Sequence, residues 1–140
     1  MLGLKTANST EFNESTEDPV VIYMPEISKE VIGGTMRLGL HPTTITDSDS
    51  LAAKVYGGMK VVNERHRHRY EVNTKYLEAL EKKGLVFTGH DSKNERMEIF
   101  ELKKELGHPF YFGVQFHPEF LTKPMKPSPP FLHFIEATRK

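Results

Sequence analysis

The chain has 140 residues, of which 37% are hydrophobic and 27% charged, a balance that belongs to a globular domain or part of one rather than to a disordered chain. Nineteen basic residues offset nineteen acidic ones, so no global field draws it to nucleic acid or to an anionic membrane surface. Cysteine is absent, which excludes a disulfide framework, a zinc ribbon and a cysteine nucleophile within these residues.

Residues 1–12 contain no apolar leader core, and no apolar run approaches membrane-spanning length, so a soluble, cytoplasmic chain is expected. Residues 1–19 are polar and rich in turn formers, with no regular element foreseen. Val20-Val21-Ile22-Tyr23-Met24 is a continuous apolar run stopped by Pro25, the pattern of a buried strand. Gly33-Gly34 marks a turn before the alternating segment Thr35-Met36-Arg37-Leu38-Gly39, which suits a second strand. Ser50 is placed to cap a short helix running to Tyr56, with Gly57-Gly58 ending it.

Thr74 is the expected N-cap of a helix over 75–83, with Leu77 and Leu80 on one face and Gly84 as its stop. Residues 85–89, 97–102 and 110–116 read as three strands. Four prolines within residues 123–130 favour an extended connector, and 131–140 reads as a final helix whose aromatic side packs inward. The sum is a β-rich chain with a few helices, of the α/β or α+β class.

Two stretches carry chemistry. The strand over 110–116 is followed by His117-Pro118-Glu119, and side chains two apart on an extended backbone share a face. Glu119 can then accept the Nδ1 proton of His117, fix its tautomer and leave Nε2 facing a nucleophile; a strand end with a surface His and Glu is the alternative. The second stretch is Glu64-Arg65-His66-Arg67-His68-Arg69-Tyr70-Glu71-Val72-Asn73. It fits a solvated charged strand, a nucleic-acid patch, a His-x-His metal site or a carboxylate-recognition loop. The flanking acids and the neutral chain weaken the nucleic-acid reading, and the metal reading lacks further ligands at suitable spacing. For carboxylate recognition, arginine offers a planar fork that binds bidentately, and a tyrosine can stiffen the loop around it.

The string Gly113-Val114-Gln115-Phe116-His117-Pro118-Glu119-Phe120 resembles the closing motif of class I glutamine amidotransferases, and residues 64–73 resemble the signature loop of the CTP synthase family. Asn8-Ser9-Thr10-Glu11-Phe12, Gly33-Gly34-Thr35-Met36-Arg37-Leu38-Gly39 and Pro124-Met125-Lys126-Pro127-Ser128-Pro129-Pro130-Phe131 resemble that family in the same order, so the resemblance spans 8 to about 138. It implies an incomplete flavodoxin-like α/β glutaminase domain, its C-terminal half, occupying residues 1–140. His117 and Glu119 are implied as the last two members of a Cys-His-Glu triad. Arg69 is implied to hold the α-carboxylate of L-glutamine, Glu11 its α-amino group, and Tyr70 the loop between; Arg69 and Ile32 are implied beside an allosteric GTP site. The family's cysteine elbow and its amidoligase domain, which uses ATP, magnesium and UTP, have no counterpart in these residues. The chain alone is therefore expected to be inactive and to need the N-terminal part of a synthase as its partner. The full-length enzyme is expected to be a homo-oligomer, a tetramer that can extend to filaments, with no nucleic acid or membrane partner. An uncovered sheet edge and marginal stability are the expected cost of lacking the parallel strands.

Overall fold

The structure, a computed structural model, describes residues 1–24 and 36–139. Among them the chain forms two sheets and three helices. The smaller sheet joins β1 (Ala7–Ser9), β2 (Asp18–Tyr23) and β5 (Tyr70–Val72) in the order β1-β2-β5, with β1 parallel and β5 antiparallel to β2. The larger sheet is antiparallel throughout, in the order β4-β3-β6-β7-β8. Its strands are β3 (Arg37–Ile45), β4 (Val61–His68), β6 (Leu85–His90), β7 (Met97–Leu102) and β8 (Phe112–Val114). The chain passes from the larger sheet to the smaller between β4 and β5, with only Arg69 between them.

The apolar run at 20–24 forms β2 as expected, yet all six residues of β2 are half-exposed rather than buried. The polar start of the chain holds β1, a strand the turn-rich composition hides, because its pairing with β2 is non-local. Across 61–68 the charged stretch is a strand whose even and odd positions differ: Val62, Glu64 and His66 are buried, while Val61, Asn63, Arg65 and Arg67 face outward. Its inward polar groups find partners, as where the Tyr56 hydroxyl donates to Glu64 Oε1 at 2.9 Å. Burial pushes the Glu64 carboxyl above its ordinary range, and the Tyr56 bond only partly opposes that.

Helix α1 (Leu51–Val55) starts at Ser50, whose Oγ accepts from the Ala53 amide at 3.0 Å. Gly57 and Gly58 follow it with φ of +61° and +79°, the left-handed backbone that ends helices. The first amides of α1 also donate to Glu101 of β7, from Leu51 at 2.7 Å and Ala52 at 2.9 Å, which pins the helix to the larger sheet. The core lies there: Ile45, Ala52, Val55, Tyr56, Val62, Ile99 and Phe116 pack as one buried cluster.

Helix α2 (Leu77–Lys82) is preceded by a 3₁₀ turn over 74–76, and its cap is Asn73 rather than Thr74. Asn73 Oδ1 accepts from the Lys75 amide, while its own amide group donates to the Pro19 carbonyl at 2.8 Å, so the cap also ties the smaller sheet. Helix α3 (Pro129–Thr138) begins inside the proline-rich connector, because two prolines at the first helical turn lose no intrahelical bond. Its apolar side does not pack inward as expected. Phe131, Leu132, Phe134 and Ile135 are 43–55% exposed, with the Phe134 ring touching Phe110 at 6.0 Å. None of the helices among the described residues is long and apolar enough to cross a membrane.

Candidate active site

The segment after β8 positions the His-Glu pair. Gln115 donates its amide to the Glu98 carbonyl of β7 at 2.9 Å, Phe116 drops into the core, and His117 donates its amide to the Arg65 carbonyl of β4 at 2.8 Å. Residues 115–117 therefore bridge β7 to β4, so the larger sheet curls enough to bring strands three places apart in its order to one segment.

His117 itself has φ −112° and ψ 89°, outside the helical region, as the following proline requires. Pro118 then opens a 3₁₀ turn over Pro118–Leu121. The expected geometry, two side chains on one strand face, is replaced by a turn that folds Glu119 back: His117 Nδ1 lies 2.8 Å from Glu119 Oε1. The side chains are 39% and 52% exposed, and the His117 ring lies tilted beside Phe120, centroids 5.4 Å apart. Glu119's own backbone amide, and then His117, hold its carboxyl below the usual range. An ionised carboxylate only accepts, so Nδ1 carries the proton and the neutral ring presents a bare Nε2.

A second feature lies beside this pair. An open cleft of about 420 Å³ is lined by Glu11, Arg67, His68, Arg69, Tyr70 and Gln115, among others. Glu11 sits in the turn after β1, its amide bonded to Ser9 Oγ at 3.2 Å, while the Thr10 amide donates to the Val21 carbonyl of β2. Arg69 occupies the corner between the sheets, its carbonyl accepting from the Met24 amide at 2.9 Å. Tyr70 stands edge-on to Tyr23, ring centroids 5.4 Å apart. The three residues implied to bind glutamine, 11, 69 and 70, thus meet in one cleft. His117 does not line it, but Gln115 does, two residues away. Ile32 lies outside the described residues.

Behind the cleft is a buried polar cluster that sequence reasoning did not single out. Glu98 is 2% exposed and accepts from Arg37 Nη2 and from Thr43 Oγ1, each at 2.5 Å. Burial pushes its carboxyl up against those two partners. His66, 1% exposed, points its Nε2 toward Glu98 Oε1 at 3.8 Å. The period-two burial of β4 is the signal that could have found His66, since its neighbours Arg65 and Arg67 are forced outward once Val62 faces the core. Among the described residues, no group of three or more His, Asp or Glu side chains could hold a metal ion.

The family model for class I glutamine amidotransferases matches residues 3–137. The chain is 52% identical over 137 residues to CTP synthase 2 of Xenopus laevis, covering 98% of this chain and 23% of that protein. It is 53% identical over 136 residues to CTP synthase 2 of Rattus norvegicus, covering 97% of this chain and again 23% of the relative. A solved structure of the Trypanosoma brucei CTPS glutaminase domain with bound acivicin superposes with a TM-score of 0.87 at 40% identity, covering 98% of this chain and 52% of that one. The chain thus spans under a quarter of the length of these curated relatives and about half of a glutaminase domain. It belongs to the class I glutamine amidotransferase family, where its relatives are the glutaminase regions of CTP synthases.

Proposed function

We propose that this chain supplies the His-Glu half of a Cys-His-Glu glutaminase that feeds ammonia to CTP synthesis. The observation that carries the reading is that Glu11, distant in sequence, meets the adjacent Arg69 and Tyr70 in one cleft beside the segment that leads to His117. In this reading Arg69 grips the α-carboxylate of L-glutamine with its fork, Glu11 takes the α-amino group and Tyr70 stiffens the corner. His117 Nε2 accepts the proton of a cysteine supplied by the rest of the domain, and returns it to the leaving ammonia. Glu119 orients the ring and stabilises the imidazolium between those steps. The ammonia then aminates UTP at the expense of ATP in an amidoligase domain; ATP and magnesium belong there, and no residue of this chain is assigned to them. GTP acts as an effector near Arg69, and the whole enzyme is a homo-oligomer.

Two substitutions in an enzyme that carries this chain together with the cysteine and amidoligase parts test the assignment. His117→Ala abolishes glutamine-dependent CTP formation and spares synthesis from added ammonia; loss of both would make His117 structural. Arg69→Ala raises the glutamine KM roughly 10- to 150-fold, the loss of a charged hydrogen bond worth about 1.5–3 kcal/mol. An unchanged KM removes Arg69 from the site. The chain alone has no glutaminase activity in this reading.

A second reading is a catalytically silent module that regulates or assembles CTP synthases. The exposed apolar side of α3, from Phe131 to Ile135, favours it, since that face would suit docking. Glutamine-dependent activity that survives His117→Ala would shift weight to it.

A further inference from the structure

Two of the three side chains on the inner face of β4 past Val62 are histidines, and the glutamine-binding reading uses neither. His66 Nδ1 lies 3.1 Å from His68 Nε2, and His68 Nδ1 lies 3.0 Å from the Tyr70 carbonyl oxygen. The carbonyl can only accept, so His68 carries its proton on Nδ1. A neutral His68 then has a bare Nε2, and His66 must donate from its own Nδ1. Two bonds in series therefore fix both tautomers.

Neutrality is enforced by the surroundings. Burial pushes His66 down to about 3 and, outweighing the Tyr70 carbonyl bond that raises it, His68 down to about 4; Arg37, His41 and His117 lower both. The Glu98 carboxylate, near His66 Nε2, is already engaged by Arg37 and Thr43.

The pair joins two parts of the site. At one end is the backbone of Tyr70, next to Arg69 in the wall of the cleft. At the other, the His66 ring packs against Phe116 with centroids 5.7 Å apart. Phe116 immediately precedes His117, whose amide is in turn bonded to the residue preceding His66. We propose that His66 and His68 are positioning residues, a neutral imidazole relay that sets the Arg69–Tyr70 corner relative to His117. Glutamine gripped by its α-carboxylate at Arg69 then presents its side-chain amide at a fixed reach from the dyad. The proposal rests on reading the cleft as the glutamine site.

The test is nuclear magnetic resonance of the chain with ¹⁵N-labelled histidine and backbone, in unaltered form and as His66→Leu and His66→Asn. Leu removes the donor; Asn places an amide N–H near the position of Nδ1. Both rings are expected in the Nδ1-protonated form, unchanged between about pH 5 and 8, where an ordinary histidine titrates. His66→Leu is expected to displace the Arg69 and Tyr70 amide signals and, in an enzyme that carries this chain together with the cysteine and amidoligase parts, to raise the glutamine KM roughly tenfold. His66→Asn is expected to restore both, which a histidine that merely fills space would not require. An Nε2-protonated form of either ring in the unaltered chain overturns the relay. So does a folded His66→Leu whose Arg69 and Tyr70 signals coincide with those of the unaltered chain. If the tautomers and the Tyr70 displacement stand while the glutamine KM of that enzyme is unchanged by both His66→Leu and Arg69→Ala, the relay holds and the glutamine reading fails.

Discussion

The two sheets of this chain are built from similarly apolar strands but reach different degrees of closure. In the larger sheet, β7 has four of its six residues buried, Ile99 is fully enclosed, and α1 is clamped onto the sheet through Glu101. In the smaller sheet, neither β2 nor β5 has a single buried residue, although Val20, Val21 and Ile22 form a run as apolar as any in β7. An apolar strand of that kind belongs between layers, and here its two faces are only half covered. The contrast marks where the fold is self-sufficient. The antiparallel sheet makes its own core, whereas the smaller sheet offers surfaces that the other half of a glutaminase domain would complete. The cleft with Glu11, Arg69 and Tyr70 lies between these unequal partners, so one wall of it is better supported than the other.

Paired truncations measure that inequality directly. Ile99→Ala in the larger sheet removes a wholly buried side chain and should cost about 2–5 kcal/mol in urea denaturation. Ile22→Ala in the smaller sheet removes the same atoms from a half-covered position and should cost about 1 kcal/mol, in proportion to the apolar area withdrawn from water. Equal losses would mean that the smaller sheet is packed as tightly as the larger, and the contrast would fall.

How much of this is legible in the sequence follows from which signals are local. β2, α1, β6 and β7 can be read closely, because an apolar run, a serine cap with a glycine stop, and alternation are written in the residues themselves. β1 escapes because Ala7-Asn8-Ser9, a short and mostly polar stretch, becomes a strand only through pairing with β2, eleven positions further on. Residues 61–68 stand out for their charges, but the strand hides behind them: buried Glu64 and His66 break the apolar-in pattern that signals a half-buried strand. β8 is shorter than the aromatic run at 110–116 suggests, since Phe116 leaves the ladder to enter the core and so turns the chain toward β4. The candidate dyad is legible as a motif, yet its geometry is not, because the 3₁₀ turn at Pro118 rather than strand alternation brings the two side chains together. Glu98 itself, unlike His66, is invisible for the same reason as β4. Nothing local announces that a charged residue will be enclosed.

Acid should sharpen the comparison from the other direction, because the strongly shifted histidines sit on β4, in the larger sheet. His68 has a folded value of about 4, against an ordinary 6.5 when unfolded. The unfolded chain thus binds a proton at higher pH than the folded one, so stability contributed by neutral His68 is complete above about 6.5 and is lost as pH falls through about 4. His66 acts in the same sense down to about 3. Glu64 and Glu98 act oppositely, since their raised carboxyls favour the folded state as pH falls toward the ordinary carboxylate range, and the raw profile of the chain is a sum of both. The difference between the unaltered chain and His68→Asn isolates the imidazole. The substituted amide cannot protonate, so the variant should be least favourable relative to the unaltered chain near neutrality and should recover about 1–3 kcal/mol of the gap as pH is lowered from 6.5 to about 4. A gap that stays constant over that window would mean that His68 titrates alike in the folded and unfolded chain, and that the inner face of β4 is open to water.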